Sequence, residues 1–335
     1  MKRIISLLLA LALSLSLAAC AAPAEKADGG KLQIVTTLFP YYDFARAIAQ
    51  DRADVTLLLS PGREAHSFEP TPLDAVTISE ADVFLYNGGE GEYWVESMLD
   101  AAGEHIAVAS RMMDYIDALD EEYVEGMQGA DGHDHDHEHG SHDDHDHDHE
   151  EDEHDSDEIE YDEHIWTSPK NAIVLCRAVC NAICRADAEN AAFYRANCEN
   201  YCAQLEDLDA RFAALCESAP RRLLIFADRF PMLYFCREYG LDYRAAFHGC
   251  SGDTEPSLAT IKFLIDKVED ENIPMVYTID FGTKKVAAVV SECTGAAIET
   301  LYSMQTVSRA DFDAGETYLT LMERNYEALR KGLNA

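Results

Sequence analysis

Histidine and carboxylate side chains crowd one segment of this chain and recur singly at a few other places. Segment 131–158 interleaves nine histidines with aspartate and glutamate and contains almost no apolar residue. Neutral imidazole suits zinc, copper, nickel and iron, whereas carboxylate and water suit calcium, magnesium and manganese. A solvated acidic spacer would not need a histidine at nearly every second position, so the pattern predicts transition-metal capture. The histidines are His133, His135, His137, His139, His142, His145, His147, His149 and His154.

Two further histidines lie in short loops beside predicted strands and helices. His66 follows a predicted strand, after a turn at Pro61 and Gly62. His164 precedes a predicted helix that opens with proline, and Trp166 beside it could shelter a site from water. A single loop histidine is more often a surface residue than a ligand, so neither position identifies a site alone.

Three metal-capable residues follow predicted strands in the C-terminal part of the chain. Asp228 and Asp280 end two of these strands, and His248 follows a third in a Gly-Cys-Ser-Gly loop that could simply cap the next helix. In open α/β sheets, ligands bind in the crevice beyond the carboxyl ends of the strands. The three residues are therefore candidate ligands, and the two aspartates occupy equivalent places.

The elements that must position these residues alternate between short strands and helices in two series. Strands separated by helical stretches predict βαβ units and parallel sheets. We predict two Rossmann-like α/β lobes, 31–186 and 219–335, with a ligand cleft between them. A long helix over 187–218 is expected to connect the lobes, and the second lobe is expected to close with a helix over 311–333.

The histidine-rich segment interrupts the first series. Its boundaries are about 126–160, and its composition cannot bury enough apolar surface to offset the entropy cost of ordering. We therefore expect a disordered loop inserted in the first lobe.

The N-terminal residues and the net charge indicate the compartment. Residues 1–19 read as a signal peptide that ends in Leu-Ala-Ala, and the following Cys20 resembles the lipidated cysteine of a bacterial lipobox. Residues 20–30 would then form a flexible tether to the membrane. The formal net charge of −37 repels nucleic acid and attracts cations. We expect a lipid-anchored, extracytoplasmic monomer that binds no nucleic acid.

Several cysteines repeat at helical spacing. Cys176, Cys180 and Cys184 share one helix face, and Cys198 and Cys202 share another. We interpret them as small buried hydrophobic residues. Disulfides between helices and a thiolate metal site remain alternatives, although no Cys-x-x-Cys motif is present.

Motifs in a fixed order from about residue 32 to the C-terminus resemble one protein family. TTLFPYYDFA, LLLSPGREAHSFEPTP, ADVFLYNGGE, DEHIWTSPKNA, YGLDYRAAF and DTEPSLATIKFL are similar to motifs of the zinc and manganese substrate-binding lipoproteins of bacterial ABC importers, especially the zinc branch with a histidine-rich loop. The resemblance implies a site at the lobe interface with His66 and His164 as ligands. It places a third ligand near Asp228, where the family's histidine or glutamate is missing, and its fourth ligand has no counterpart among Met304, Gln305 and Thr306.

The predicted function is capture of Zn²⁺ as cargo and its delivery to an ABC importer permease in the membrane. Two histidines, a carboxylate and a water are chemically sufficient for zinc. A manganese receptor and a surface metal buffer or adhesin remain alternatives. A metallohydrolase would also use an open zinc position, but the chain has no His-Glu-x-x-His motif, Gly-x-Ser-x-Gly elbow or phosphate-binding glycine loop.

Overall fold

Two parallel four-stranded sheets form the framework of the computed structural model, which describes residues 30–63, 68–103, 106–129, 160–249 and 255–335. The first sheet has the strand order β2-β1-β3-β4 and the second has the order β6-β5-β7-β8. All the pairings within the two sheets are parallel. The strands are β1 Leu32–Thr36, β2 Ala53–Leu57, β3 Val83–Tyr86, β4 Val108–Arg111, β5 Leu223–Phe230, β6 Asp242–His248, β7 Met275–Ile279 and β8 Ala297–Leu301.

Helices connect successive strands and cover the sheets. This arrangement of two α/β lobes confirms the predicted fold. The helices are α1 Phe39–Ala49, α2 Pro72–Ser79, α3 Trp94–Ala102, α4 Pro169–Ala186, α5 Ala191–Ser218, α6 Leu233–Tyr239, α7 Leu258–Asp270, α8 Lys285–Thr294, α9 Arg309–Ala314 and α10 Tyr318–Leu333.

The matching strand orders give each sheet one position at which the chain reverses its direction of winding. This position lies between β1 and β3 in the first sheet and between β5 and β7 in the second. Crevices open at such reversal points because the connections leave in opposite directions. Each lobe therefore has one natural ligand-binding edge, at the carboxyl ends of its two central strands.

The helix that joins the lobes is shorter than the predicted segment 187–218. It begins at Ala191 because Asp187 accepts hydrogen bonds from the backbone and side chain of Asn190, at 3.3 and 2.7 Å. These bonds stabilise a turn between α4 and α5, so the two helices form a hairpin. The 28 residues of α5 span about 42 Å at 1.5 Å per residue.

The predicted closing helix 311–333 is wrong, because two helices occupy this region. α9 ends at Ala314, and Gly315 follows with φ of +77°, a left-handed conformation that glycine adopts without steric cost. Thr317 then caps α10 by accepting a hydrogen bond from the backbone N–H of Thr320. Both signals are local, and together they end one helix and begin another.

A shared hydrophobic core joins the lobes. One buried cluster includes Ile34 of the first sheet, Leu205 of α5 and Phe226 of the second sheet. The buried carboxylate of Asp43 in α1 also accepts hydrogen bonds from the Tyr201 hydroxyl at 2.6 Å and from the Tyr318 backbone N–H at 3.0 Å. These contacts restrict motion of one lobe relative to the other. Among the described residues, no helix has the length and apolarity needed to cross a bilayer.

Candidate metal centre

Two adjoining cavities lie where the carboxyl ends of the two sheets meet. The first is lined by residues that follow β1 and β3, and the second by residues near the ends of β5 and β7, so both lie at the reversal points of the sheets. Gln305 lines both cavities. The first is lined by Thr37, Leu38, Leu58, Leu59, Phe68, Asn87, Gly91, Glu92, Trp94, Glu163 and Gln305; the second by His164, Arg229, Pro231, Gly249, Ile279, Phe281, Ser303, Gln305 and Thr306.

His164 lies in the wall of the second cavity and is 1% exposed. Its Nδ1 lies 3.1 Å from Oδ1 of Asp162, and its backbone N–H donates to the same oxygen at 2.7 Å. Metal-binding histidines commonly hold one ring nitrogen against a carboxylate, which orients the ring and favours coordination through the other nitrogen. The arrangement therefore suits His164 Nε2 as a metal ligand.

The pKa of His164 reflects two opposing influences. Burial lowers it, but the Asp162 carboxylate outweighs burial through its charge and hydrogen bond, and the pKa is raised above its ordinary value of 6.5. Because imidazole must be neutral to bind a metal, protons compete with the metal for His164 at higher pH than for an ordinary histidine.

Trp166 fixes the His164 segment against the second lobe. Its indole is fully buried, packs edge-on at 5.5 Å between ring centroids against His164, and donates from Nε1 to the carbonyl oxygen of Ser303 at 2.7 Å. The Tyr318 hydroxyl donates to the Trp166 carbonyl, also at 2.7 Å. Trp166 thus shields His164 as expected, and its hydrogen bonds to Ser303 and Tyr318 tie the His164 segment to the second lobe.

His66 falls in 64–67, outside the described residues. The residues on either side of this range lie near the cavities. Phe68 lines the first cavity, and the Gly62 backbone N–H donates at 2.7 Å to Val307, which follows closely after the Gln305 shared by the two cavities.

Asp228 faces the connection that follows β7. Its Oδ2 accepts from the Ile279 backbone N–H at 3.3 Å, and its Oδ1 accepts from the Arg229 backbone N–H at 2.9 Å. Gly282 approaches so closely that a Cβ there would lie 1.7 Å from the carboxylate. Arg229, and not Asp228, is among the described residues that share the second cavity with His164.

Asp280 and His248 also have polar partners of their own. Asp280 accepts from the Ser303 backbone N–H at 3.1 Å and lines a separate cavity, and burial raises its pKa to about 6. His248 Nδ1 lies 2.9 Å from Glu121 Oε2, which belongs to the segment leading into the histidine-rich insertion. Glu121 also raises the pKa of His164 through its charge, and a Cβ at Gly249, next to His248, would lie 3.0 Å from His164 Cε1. The His248 segment therefore lies beside His164, whereas Asp228 and Asp280 accept hydrogen bonds from Ile279 and Ser303.

Two buried carboxyl groups that sequence reasoning missed lie in the first cavity. Glu92 Oε2 accepts from the Gly88 backbone N–H at 2.8 Å, and burial raises the pKa of Glu92 to about 7. Glu163 accepts from the Gly91 backbone N–H at 2.8 Å, and burial raises its pKa as well. The sequence signal for these two glutamates was their position: Glu163 directly precedes His164, and Glu92 directly follows a glycine-rich turn. In their ionised form these groups give the cleft a negative potential that favours cations.

The histidine-rich insertion and the lipidation candidate lie outside the described residues, which omit 130–159 and 1–29. The residues before the insertion contact the second lobe: the Gln128 backbone N–H donates to the Ala246 carbonyl at 3.0 Å, and a Cβ at Gly126 would collide with Phe263. The insertion therefore leaves the folded part beside both lobes.

Comparison with known proteins decides the family. Residues 34–332 match the model of the ZnuA family, described as zinc-uptake complex component A, periplasmic. The chain belongs to the ZnuA family. It is 30% identical over 308 residues to the high-affinity zinc uptake system protein ZnuA of Bacillus subtilis (strain 168), covering 91% of the chain and 88% of that relative. It is 31% identical over 334 residues to the zinc-binding lipoprotein AdcA of Streptococcus pneumoniae (strain ATCC BAA-255 / R6), covering 99% of the chain but 61% of AdcA.

A solved structure supports the same assignment. The Zn(II)-bound ZnuA-like domain of Streptococcus pneumoniae AdcA aligns with 91% of this chain and 100% of its own, at 26% identity and a TM-score of 0.71. ZnuA-family membership confirms the predictions of an extracytoplasmic zinc-uptake receptor and of a transport protein that is not an enzyme.

Proposed function

We propose that this ZnuA-family chain binds its Zn²⁺ cargo in the cleft between the lobes and releases it to the membrane permease of an ABC importer. The observation that carries this proposal is the buried His164 imidazole, oriented by Asp162 in the wall of a cavity at which the two sheets meet. Buried carboxyl groups beside it favour a cation over an anion.

We propose His66 and His164 as the ligands from the first lobe. Asp228 is the proposed third ligand and water the fourth, which would complete a tetrahedral site. To bind the metal, Asp228 would have to exchange its hydrogen bonds from the Ile279 and Arg229 backbone for the ion. Asp280 and His248 are the weaker candidates, and each would likewise have to leave a polar partner.

The experiment is a competition titration of Zn²⁺ and Mn²⁺ against chromogenic chelators, with a chain that lacks 131–157 and carries Cys198→Ala to exclude binding by buried thiols. We expect one tight site that prefers Zn²⁺, because imidazole ligands favour zinc over manganese. Tighter binding of Mn²⁺ would assign the chain to manganese transport. Absence of any tight site would leave the histidine-rich loop as the metal-binding part and support a surface buffer or adhesin.

The proposal also covers the membrane anchor of the chain and the role of its histidine-rich segment in the cell. Cys20 is the proposed lipidation site, which would hold a monomer at the membrane surface within reach of the permease. The loop histidines from His133 to His154 are proposed to collect Zn²⁺ and raise its local concentration near the cleft. Metabolic labelling with a palmitate analogue in cells, with Cys20→Ala as the control, tests the anchor.

A further inference from the structure

Five thiols line the contact between the two helices of the hairpin. α4 contributes Cys176, Cys180 and Cys184, and α5 contributes Cys198 and Cys202. The exposed fraction is at most 3% for the inner four side chains and 8% for Cys184, which lies nearest the turn of the hairpin. All five are free thiols.

Three of these sulfur atoms converge on one point. The Sγ atoms of Cys176, Cys198 and Cys202 all lie within 4.8 Å of one another, and those of Cys198 and Cys202 are 3.9 Å apart. A tetrahedral zinc ion with Zn–S bonds of about 2.3 Å separates its sulfur ligands by about 3.8 Å. Small side-chain movements would therefore close this thiol cluster, Cys176–Cys198–Cys202, around an ion.

From this convergence we propose that the thiol cluster is a second metal site, separate from the cleft, which holds a Zn²⁺ ion as a structural tie between α4 and α5. A disulfide would join two of the sulfurs and leave the third without a bonding role. A purely apolar role would not require three thiols to meet. Cys216 and Cys236 are also buried, but no third metal-capable donor among the described residues lies with them. They show that burial of cysteines in this fold does not by itself bring three donors together.

Charge and ligand number favour a divalent ion at the thiol cluster. Three thiolates around Zn²⁺ carry a net charge of −1, whereas three around Cu⁺ would carry −2 in a buried environment, which costs more free energy. The guanidinium of Arg177 interacts electrostatically with Cys202 and offsets part of this charge. Cys180 interacts with Cys198 but lies outside the group of three, so it would have to move further than they would to supply the fourth sulfur of a structural zinc site.

The hydrogen bonds within the thiol cluster also favour ionisation of one member. Donation from Cys176, and then from Cys180 and Cys202, lowers the pKa of Cys198 below its ordinary value. The thiolate is the form that binds metal. The sulfurs of Cys180 and Cys184, 4.0 Å apart, extend the series towards the turn of the hairpin, and this gives an ion a path of exchange inward from the less buried end.

The test uses Cd²⁺ as the probe, because sulfur-to-cadmium charge-transfer absorption reports thiolate ligands and is silent for the histidines and carboxylates of the cleft. Reduced full chain, refolded anaerobically with Cd²⁺, should show this absorption and saturate at one equivalent. Excess Zn²⁺ should compete, so that more Cd²⁺ is needed for saturation. Cys198→Ala and Cys202→Ala should weaken binding of this equivalent by more than about 100-fold, beyond the loss typical of outer-shell changes.

Cys216→Ala is the matched control, because Cys216 lies buried in the same helix outside the thiol cluster, and it should keep the signal. Equal charge-transfer absorption in all three variants, absence of the absorption from the parent chain, or no effect of excess Zn²⁺ on the Cd²⁺ titration would each overturn the proposal. The result is independent of the cleft, since His164→Ala should leave the sulfur signal unchanged.

Discussion

At the scale of single residues, the pair of Asp162 and His164 accounts for most of the chemistry of the cleft. The Asp162 carboxylate orients the imidazole for metal binding and also raises the pKa of the imidazole. The same group therefore favours both the metal and the proton that competes with it. A transport receptor must release its ion as well as capture it. Coupling of metal affinity to protonation is therefore a direct consequence of this pair.

Replacement of either proposed first-lobe ligand should weaken zinc binding without unfolding the chain. His66→Ala and His164→Ala should each reduce affinity at the tight site by at least about 100-fold, because removal of a ligand should cost more than the 10–100-fold loss typical of outer-shell partners. Competition titration in the chain that lacks 131–157 and carries Cys198→Ala measures this affinity. Circular dichroism controls for folding, and unchanged affinity would remove the residue from the proposed ligand set.

Asp228→Ala, Asp280→Ala and His248→Ala rank the second-lobe candidates in the same titration. We expect the largest loss for Asp228→Ala. A larger loss for Asp280→Ala or His248→Ala would show that the third ligand had been chosen wrongly.

Glu92 should make the metal-free chain less stable at high pH. Its folded-state pKa of about 7 exceeds the ordinary value of 4.5, so the folded state binds the extra proton between these values and stability falls as pH rises through them. Glu92→Gln should therefore stabilise the metal-free chain at pH 8 by on the order of 2–3 kcal/mol and have little effect near pH 4. Urea unfolding with a chelator present measures the difference.

The control for this prediction is Glu96→Gln, an exposed glutamate in α3. It should change stability little at either pH, because its carboxylate remains solvated. Equal effects of the two substitutions at pH 8 would show that burial of Glu92 is not the cause.

At the scale of elements, the α4–α5 hairpin is the rigid centre of the molecule. Its helices carry thiols on their facing sides and pack into the core that both lobes share. The turn fixed by Asp187 and Asn190 sets the two helices side by side, and this brings cysteines from distant positions into one layer.

Burial of these thiols predicts their reactivity. In the native chain Cys176, Cys180 and Cys184 should resist an alkylating reagent and react only after denaturation, whereas the exposed Cys293 should react at once. Peptide mass spectrometry after a short pulse of reagent identifies the labelled positions. Rapid native labelling of Cys176 would contradict its burial, and cross-links to Cys198 or Cys202 would indicate disulfides.

At the scale of the whole molecule, the two lobes are connected by more than the hairpin. The Tyr234 hydroxyl of the second lobe donates to the Asp162 carbonyl at 2.8 Å and accepts from the Leu119 backbone N–H at 3.0 Å. These bonds hold the segments on both sides of the histidine-rich insertion. One tyrosine of the second lobe thus holds both the segment that carries His164 and the segment that leads into the insertion.

Deletion of 131–157 should lower the total zinc stoichiometry and leave one tight cleft site, measured by isothermal titration with the thiol cluster blocked by Cys198→Ala. The loop sites should be weaker, because a segment of this composition offers little apolar surface to offset the entropy cost of ordering around an ion. Their occupancy should fall as pH drops towards 5, since the ordinary pKa of histidine is about 6.5. Loss of the tight site together with the loop would refute the separate roles.

The amino-acid sequence alone determined the order of strands and helices, because apolar periodicity, proline and capping residues act within a few neighbours. Pro169 and Ser168 located the start of α4, and the motifs around His164 indicated the family. The same kinds of local signal at Gly315 and Thr317 separate α9 from α10, so a continuous closing helix over 311–333 does not form.

Only the tertiary structure decided which side chains of the second lobe share a cavity with His164. The pairing register of β5 with β6 shifts between Phe226 and Arg229, so simple alternation along the strand does not tell which way Asp228 points. The shift places Arg229 at the cavity, while Asp228 accepts hydrogen bonds at the end of β7. Likewise, the meeting of Cys176 with Cys198 and Cys202 depends on how two helices pack, and contacts between distant segments are set by the whole fold.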